Sequence, residues 1–270
     1  HMCRASTKGQ FDPSHELPNQ LPIISNQLQK DNIAYIMNNK GINEIPGKSE
    51  LNKDDIVTLL SARGKDRKAL FEKSAAIKKE YVSNITYFRG LVEFSNICSK
   101  SCFYCGIRKD NVRVNRYNLD DDTILEAVKF AYDHNYGSIV LQSGERSDKT
   151  FTSRITKLLQ RIHRKTGNSM HITLSLGEQH EDVYKEWFDN GAHRYLLRIE
   201  TTNQKLYQKM HPSNALHHYE KRLLCLKTLQ RIGYQTGTGV MIGLPFQTTE
   251  DLANDLLFMK EFDIDMVGMG

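Results

Sequence analysis

The sequence predicts an α/β protein, built as a TIM-type (β/α) barrel, from three observations. Beyond residue 90 short apolar runs alternate with amphipathic stretches, an order that implies parallel strands joined by right-handed helical crossovers. Gly137, Gly191, Gly233 and Gly243 punctuate the borders of those runs. Three cysteines follow the first run directly, at the strand end where such barrels build their active sites. The chain has 270 residues, and single barrels commonly run to about 250. An apolar share of 39% and a charged share of 26% suit a globular protein with a real core.

Residues 1–50 carry Pro13, Pro18, Pro22 and Pro46 with little periodicity, so an N-terminal arm is expected, mostly extended, with one short helix near Asp31 to Asn38. Residues 51–84 are expected to hold two helices packed on the barrel. Asn52 can cap the first, with Asp54 and Asp55 in its opening turn and Ile56, Leu59 and Leu60 as its apolar stripe. The second runs from about Asp66 through Tyr81. Residues 85–270 read as the barrel. Its strands are Leu91 to Ser95, Ser138 to Ser143, His171 to Leu176, Arg194 to Thr201, Thr236 to Gly243 and Met266 to Gly270. Helices are expected at Asp121 to Asn135, Phe151 to Thr166, Glu181 to Asn190, His218 to Ile232 and Thr249 to Phe262. Six strands are fewer than a closed barrel needs, and the sequence stops inside the sixth, so a chain truncated about two βα units short is expected, with a partial six-stranded barrel as the alternative.

The net charge of +5, from 37 basic and 32 acidic residues, is spread along the chain, which argues against nucleic acid as a partner. No run approaches the 18 apolar residues of a membrane helix. His1-Met2 reads as a tag remnant, with the end of an organellar transit segment as the alternative, since Arg4 and Lys8 lie in an acid-poor lead. Five cysteines, three of them within eight residues, are no secreted disulfide framework. They place the protein in the cytoplasm or a reducing organellar matrix.

Cys98, Cys102 and Cys105 are spaced by three and two intervening residues. Three thiolates so placed can hold three irons of a 4Fe-4S cubane and leave the fourth iron free to chelate a ligand. Structural zinc is the alternative, but it needs a fourth ligand, and no Cys or His follows at the usual spacing. With Tyr104 just before the last cysteine, the motif resembles the signature of the radical S-adenosylmethionine (SAM) superfamily. That resemblance implies a 4Fe-4S cluster and SAM as cofactors, reductive cleavage of SAM to a 5′-deoxyadenosyl radical, and a reductant such as ferredoxin or flavodoxin.

Further segments narrow the likeness: Gly90 to Cys98, Tyr104 to Asn111, Val140 to Glu145, Thr173 to Glu178, Arg194 to Thr201 and Gly243 to Thr248. Together they resemble the HydE family, radical maturases of FeFe-hydrogenase, over about Ile85 to Gly270. Phe246 stands where that family is expected to have Gly, and Ile199 where it is expected to have His. The resemblance implies a cysteine-bound Fe(CO)2CN species as small-molecule substrate and other hydrogenase maturases as partners. Methylornithine synthase and biotin synthase share the cysteine motif and remain alternatives, as does a catalytically silent binding scaffold.

Site residues follow from the same likeness. Gln142, Ser143, Gly144 and Glu145 form the turn that would take the methionine amino group of the cofactor; Tyr104 belongs with the cluster. Arg194, Leu196, Arg198 and Glu200 alternate along one strand and share a face. Glu200 with Arg222, and Arg198 beside it, are implied cofactor contacts, a structural Arg198–Glu200 pair being the alternative. Arg194, Thr173 and Met266 are implied to line the substrate cavity, core filling being the alternative for Thr173 and Met266. Glu178 is read as orienting its turn and Cys225 as a buried small hydrophobe, while His211, His217 and His218 are expected to face solvent.

Overall fold

The computed structural model describes residues 50–270. The expected arm, its helix near Asp31 to Asn38, and Cys3 lie outside the described residues. Asn52–Gly270 forms one compact unit.

Helix α1, Lys53–Leu60, opens on a capping box in which Asn52 and Asp55 satisfy each other's backbone N–H groups at 2.9 Å. It packs against α8, Thr249–Glu261, which is started by a second such box between Thr248 and Asp251. Helix α2, Gly64–Val82, buries none of its residues. The remaining elements alternate: β1 Gly90–Ser95, α3 Asp121–Asp133, β2 Ser138–Ser143, α4 Lys149–Thr166, β3 His171–Ser175, α5 Glu181–Asp189, β4 Arg194–Leu196, α6 Gln204–Met210, α7 Tyr219–Ile232, β5 Gln235–Thr238, α8 and β6 Met266–Val267.

All six strands pair in parallel, in the order β1-β2-β3-β4-β5-β6. A flat sheet of that kind would put its outer strands about 24 Å apart, five spacings of about 4.8 Å. Yet Arg89, beside β1, donates to the Met266 sulfur on β6 at 3.6 Å, so the sheet curls around an inner face. Its outer face is covered by helices. Ile139, Leu141, Ile172, Leu174 and Tyr195 point outward and meet Ile124, Val128, Ile155, Leu159, Trp187 and Leu226 in one buried cluster.

The register orders the inner face into cross-strand rows. Val140, Thr173, Arg194 and Gln235 are consecutive partners, as are Glu93, Gln142 and Ser175, and Leu196, Gly237 and Met266. Among the described residues no helix is long and apolar enough to cross a membrane.

All six expected strands are present, and β1, β2 and β3 match the sequence reading to within one residue, whereas β4, β5 and β6 are shorter. β4 ends at Leu196 instead of Thr201, because the Thr238 hydroxyl takes the next ladder positions, donating to the Leu197 carbonyl and accepting the Ile199 N–H; a single bridge from Glu200 (φ +67°) to Val240 follows. β5 likewise ends at Thr238, and β6 spans two residues. The unexpected helix α6 fills the segment read as a connection. Asn203 starts it, its side chain accepting from the Lys205 and Leu206 N–H groups.

Candidate active site

The three cysteines lie on a loop that leaves the C-terminal end of β1. Short hydrogen bonds fix it from several sides. Ser99 donates through N–H and hydroxyl to the Glu145 carbonyl at 2.9 and 2.8 Å, the Phe103 N–H donates to the Met210 carbonyl, and the Lys109 N–H donates to the Lys100 carbonyl. The guanidinium of Arg116 gathers the following turn by donating to the carbonyls of Asn96, Ile107, Arg108 and Asn111. Gly144 allows the loop to lie against β2: a Cβ there would stand 2.4 Å from the Ile97 carbonyl oxygen and 2.8 Å from the Cys98 Cβ.

Burial raises the pKa of Cys98 and pushes that of Cys102 up to about 11. Cys102 is buried, with Cys98 and Cys105 half-buried. Among the described residues no three His, Cys, Asp or Glu groups are placed to hold a metal ion as they lie. The donor set nonetheless fits a multi-iron cluster: three soft thiolates on one loop, each free of disulfide, with a glycine cradle behind them.

Tyr104 stands within hydrogen-bonding reach of the Cys102 thiol and also meets α6. Its hydroxyl bonds His211 Nε2 at 3.2 Å, and its ring packs with Leu206, Met210 and Leu244. His211 and His217, expected in solvent, are both buried. His211 stacks on Tyr207, and burial lowers its pKa to about 4. His217 Nδ1 faces Asn214 Oδ1 at 2.7 Å, while its Nε2 accepts the Ser101 N–H at 3.1 Å, an arrangement that assigns the neutral Nδ1–H tautomer. The two rings are buried because they brace the cysteine loop. The Pro212-Ser213-Asn214 stretch between them looked like an exposed connection. His218 is exposed, as expected.

Inside the loop lies a network of four buried charges, with the half-exposed Lys221 at its edge, 3.7 Å from Glu178 Oε2. Lys100 Nζ stands 3.0 Å from both Glu145 Oε1 and Glu178 Oε2, and Arg222 stands 2.8 Å from Glu178 Oε1 and 3.5 Å from Glu145 Oε2. Side-chain exposure is 5% for Lys100 and 1% for Glu178, so water screens these charges little. Burial raises the pKa of Glu145, whereas for Glu178 the attraction of Arg222 and Lys100 outweighs burial and lowers it. Burial works against the charge on Arg222, but both carboxylates outweigh it and hold its pKa well above the ordinary value. Gly177, at φ +75°, makes room: a Cβ there would stand 2.2 Å from the Glu145 Cγ. Sequence reasoning missed Lys100 and undervalued Glu178; the signal available was a lysine between two cysteines and a Gly-Glu pair closing β3.

Farther around the rim, Arg198 pairs with Glu200 Oε2 at 3.2 Å and donates to the Val240 carbonyl at 2.9 Å. Burial raises the pKa of Glu200 despite its arginine neighbours. Arg222 pairs with Glu145 and Glu178, so it joins the four-charge network more closely than it joins Glu200. The turn that carries Glu200 is held by α8: Asp255 Oδ1 accepts the Thr202 N–H and hydroxyl at 2.6 Å, and Asp251 accepts from Asn203. Phe246 takes φ +70°, the left-handed conformation that glycine adopts most easily.

Deeper on the inner face, the Arg194 Nε donates to Gln235 Oε1 at 2.5 Å. Burial, and then the charge of Arg89, lowers the Arg194 pKa. The buried Thr173 hydroxyl has no partner. Gln142 donates to Glu93 at 2.9 Å, and the Ser143 hydroxyl donates to the Gly144 carbonyl. The structure therefore brings Cys98, Cys102, Cys105, Glu145, Arg222, Arg198 and Glu200 to one rim. It sets Thr173, Arg194 and Met266 deeper, with the exposed Arg89 beside Arg194 and Met266, a residue that sequence reasoning did not single out. Cys225 is buried in the apolar cluster.

A model of the radical SAM superfamily matches residues 92–259. The chain is 44% identical over 202 residues to the [FeFe] hydrogenase maturase subunit HydE of Thermotoga maritima, covering 75% of this chain and 56% of that protein. It thus spans just over half the length of that relative. Among solved structures, methylornithine synthase (PylB) superposes with a TM-score of 0.75 at 24% identity, covering 82% of this chain and 64% of that one. The FeFe-hydrogenase maturase HydG from Carboxydothermus hydrogenoformans gives 0.71 at 19%, covering 82% and 53%. These two likenesses show the fold.

Proposed function

The chain belongs to the radical SAM superfamily of enzymes, and from that premise we propose that it cleaves SAM reductively in the assembly of the FeFe-hydrogenase diiron cofactor, as a HydE-type maturase. One observation carries the chemistry: three free thiols on a braced loop, at the rim of a parallel sheet, beside buried acids and bases. A 4Fe-4S cluster held by Cys98, Cys102 and Cys105 would supply the electron that cleaves the SAM sulfonium to a 5′-deoxyadenosyl radical.

The chain's own groups bind and orient. Glu145, in the Gln142-Ser143-Gly144-Glu145 turn, offers a carboxylate to the cofactor's ammonium. Glu200, Arg198 and Arg222 offer charge-assisted hydrogen bonds to its polar groups. The inner face holds the substrate, a cysteine-bound Fe(CO)2CN species. Arg194 is suited to its negative charge, because its buried guanidinium meets Gln235 and, among the described residues, no anion, a costly state unless an anion joins it. Thr173 and Met266 complete that cavity. A low-potential ferredoxin or flavodoxin is the proposed electron donor, and other hydrogenase maturases the proposed partners.

The test is anaerobic reconstitution with iron and sulfide, read by metal analysis, electron paramagnetic resonance with and without SAM, and release of 5′-deoxyadenosine. Four irons per chain and SAM-dependent deoxyadenosine are expected, both lost in Cys102→Ala. Stoichiometric zinc in the anaerobic protein, or full cleavage by Cys102→Ala, overturns the reading. Failure of the reconstituted protein to consume the organometallic species would overturn only the assignment of substrate.

A further inference from the structure

We infer that Lys100 is a positioning residue: its buried ammonium sets the cysteine loop at a fixed distance from the Glu145 carboxylate. The inference rests on the SAM reading above and deepens it. Lys100 lies between Cys98 and Cys102, the segment least free to move if both thiols bind one cluster. An ammonium has three hydrogens to donate, and three acceptors meet it here: Glu145 Oε1, Glu178 Oε2 and the Leu216 carbonyl. They come from three different segments, the turn after β2, the turn after β3 and the α6–α7 connection. One side chain thus triangulates the loop against three fixed points.

The geometry gives each charge in the network a distinct task. Glu178 is the most buried member and is shared by Lys100 and Arg222, so it anchors both cations. Glu145 is held at one oxygen by Lys100 and, more loosely, at the other by Arg222 at 3.5 Å. Each of its oxygens keeps a lone pair for a further donor. The backbone repeats the link, since Ser99 donates twice to the Glu145 carbonyl. A shift of the loop would therefore change the span between thiols and carboxylate, and a ligand bridging the two would feel it. A compact ammonium suits the task, because a planar guanidinium sends its donors in one plane.

The four buried charges sum to zero, the half-exposed Lys221 standing outside that count in water's reach, which yields a test that separates positioning from charge balance. Lys100→Met leaves two buried carboxylates against one arginine; Glu178→Gln leaves two cations against one carboxylate. The double variant is neutral again. Each single variant is expected to lower the melting temperature of the cofactor-free chain, and the double variant to lie closer to wild type than either, since loss of both partners avoids an uncompensated buried charge.

After reconstitution, iron per chain should match wild type in Lys100→Met and in the double variant. SAM binding by equilibrium dialysis should weaken at least tenfold in both, and the SAM-induced change in the cluster's paramagnetic spectrum should shrink or vanish. Recovery of wild-type SAM affinity and spectrum in the double variant would overturn the inference, because charge balance alone would then explain Lys100. Wild-type affinity in Lys100→Met would overturn it as well. Should Lys100→Met fail to fold, the neutral double variant carries the test. A wild-type reconstituted protein that does not bind SAM overturns the functional reading itself, a result distinct from either of these.

Discussion

The sheet has two faces, and they are built by opposite rules. Toward the helices, Trp187, Tyr184, Tyr195 and Tyr234 pack ring against ring, and each polar tip finds a carbonyl: Trp187 donates to Thr152, Tyr195 to Gly177 and Tyr234 to Tyr184. Toward the inside, charges lie close together at Lys100, Glu145, Glu178, Arg222, Arg198 and Glu200, and the Thr173 hydroxyl and Arg198 Nε have no hydrogen-bond partner. Apolar burial stabilises at about 25 cal/mol per Å2, whereas a buried ion pair roughly breaks even against its desolvation. The outer layer therefore holds the fold together. The inner layer is kept for what it binds.

The largest effect that can sharpen this contrast is expected on the outer face. Trp187→Ala removes a fully buried indole that stacks near Tyr195, and about 3–5 kcal/mol of stability should go with it. Chemical denaturation measures this directly, and the folded fraction should still assemble its full iron complement. A loss below about 1 kcal/mol would mean that the helix-facing layer is not the principal source of stability.

An inner-face counterpart should behave the other way. Glu200→Gln is expected to weaken SAM binding by about 1.5–3 kcal/mol, the worth of a charge-assisted hydrogen bond, with little loss of stability. The sign of the pH dependence follows from its raised pKa. The folded chain holds this proton more tightly than the unfolded chain, so the stability linked to it is present at low pH. That stability declines as pH rises through the folded pKa. Stability curves of the variant should be flatter there, and an unchanged curve with unchanged SAM affinity would remove Glu200 from the site.

The two faces also differ in how far the sequence exposed them. Period-two alternation at Tyr195, Leu197 and Ile199 placed the apolar face correctly, because hydrophobic patterning is local and repeats. The cysteine spacing was equally legible. What escaped was set by tertiary approach. Lys100 reads as a solvated charge until Glu145 and Glu178 arrive from two other strands, and His211 and His217 read as surface residues until the cysteine loop folds over them. Helix α6 lacked a periodic run longer than two turns, and the shortening of β4 depended on the Thr238 hydroxyl arriving from β5 to take its ladder bonds. Neither is written in composition or period.

The smallest expected effect tests the contrast at a single hydroxyl. Thr173 is buried on the inner face beside Arg194, and its oxygen has no partner, so folding strips it of water without replacement. Such a group costs about 1 kcal/mol or more. Thr173→Val keeps the shape and removes the hydroxyl, so the variant should be more stable by roughly that amount in denaturant unfolding. On the outer face the same kind of change, Tyr195→Phe, should destabilise, because Tyr195 loses a 2.7 Å bond to the Gly177 carbonyl and leaves that acceptor only the longer 3.3 Å bond from the Tyr184 hydroxyl. Opposite signs at two residues one strand apart would establish that the inner face is underpaired by construction. If Thr173→Val lost stability instead, its hydroxyl would already be satisfied in solution, and the two faces would follow the same rule at that depth.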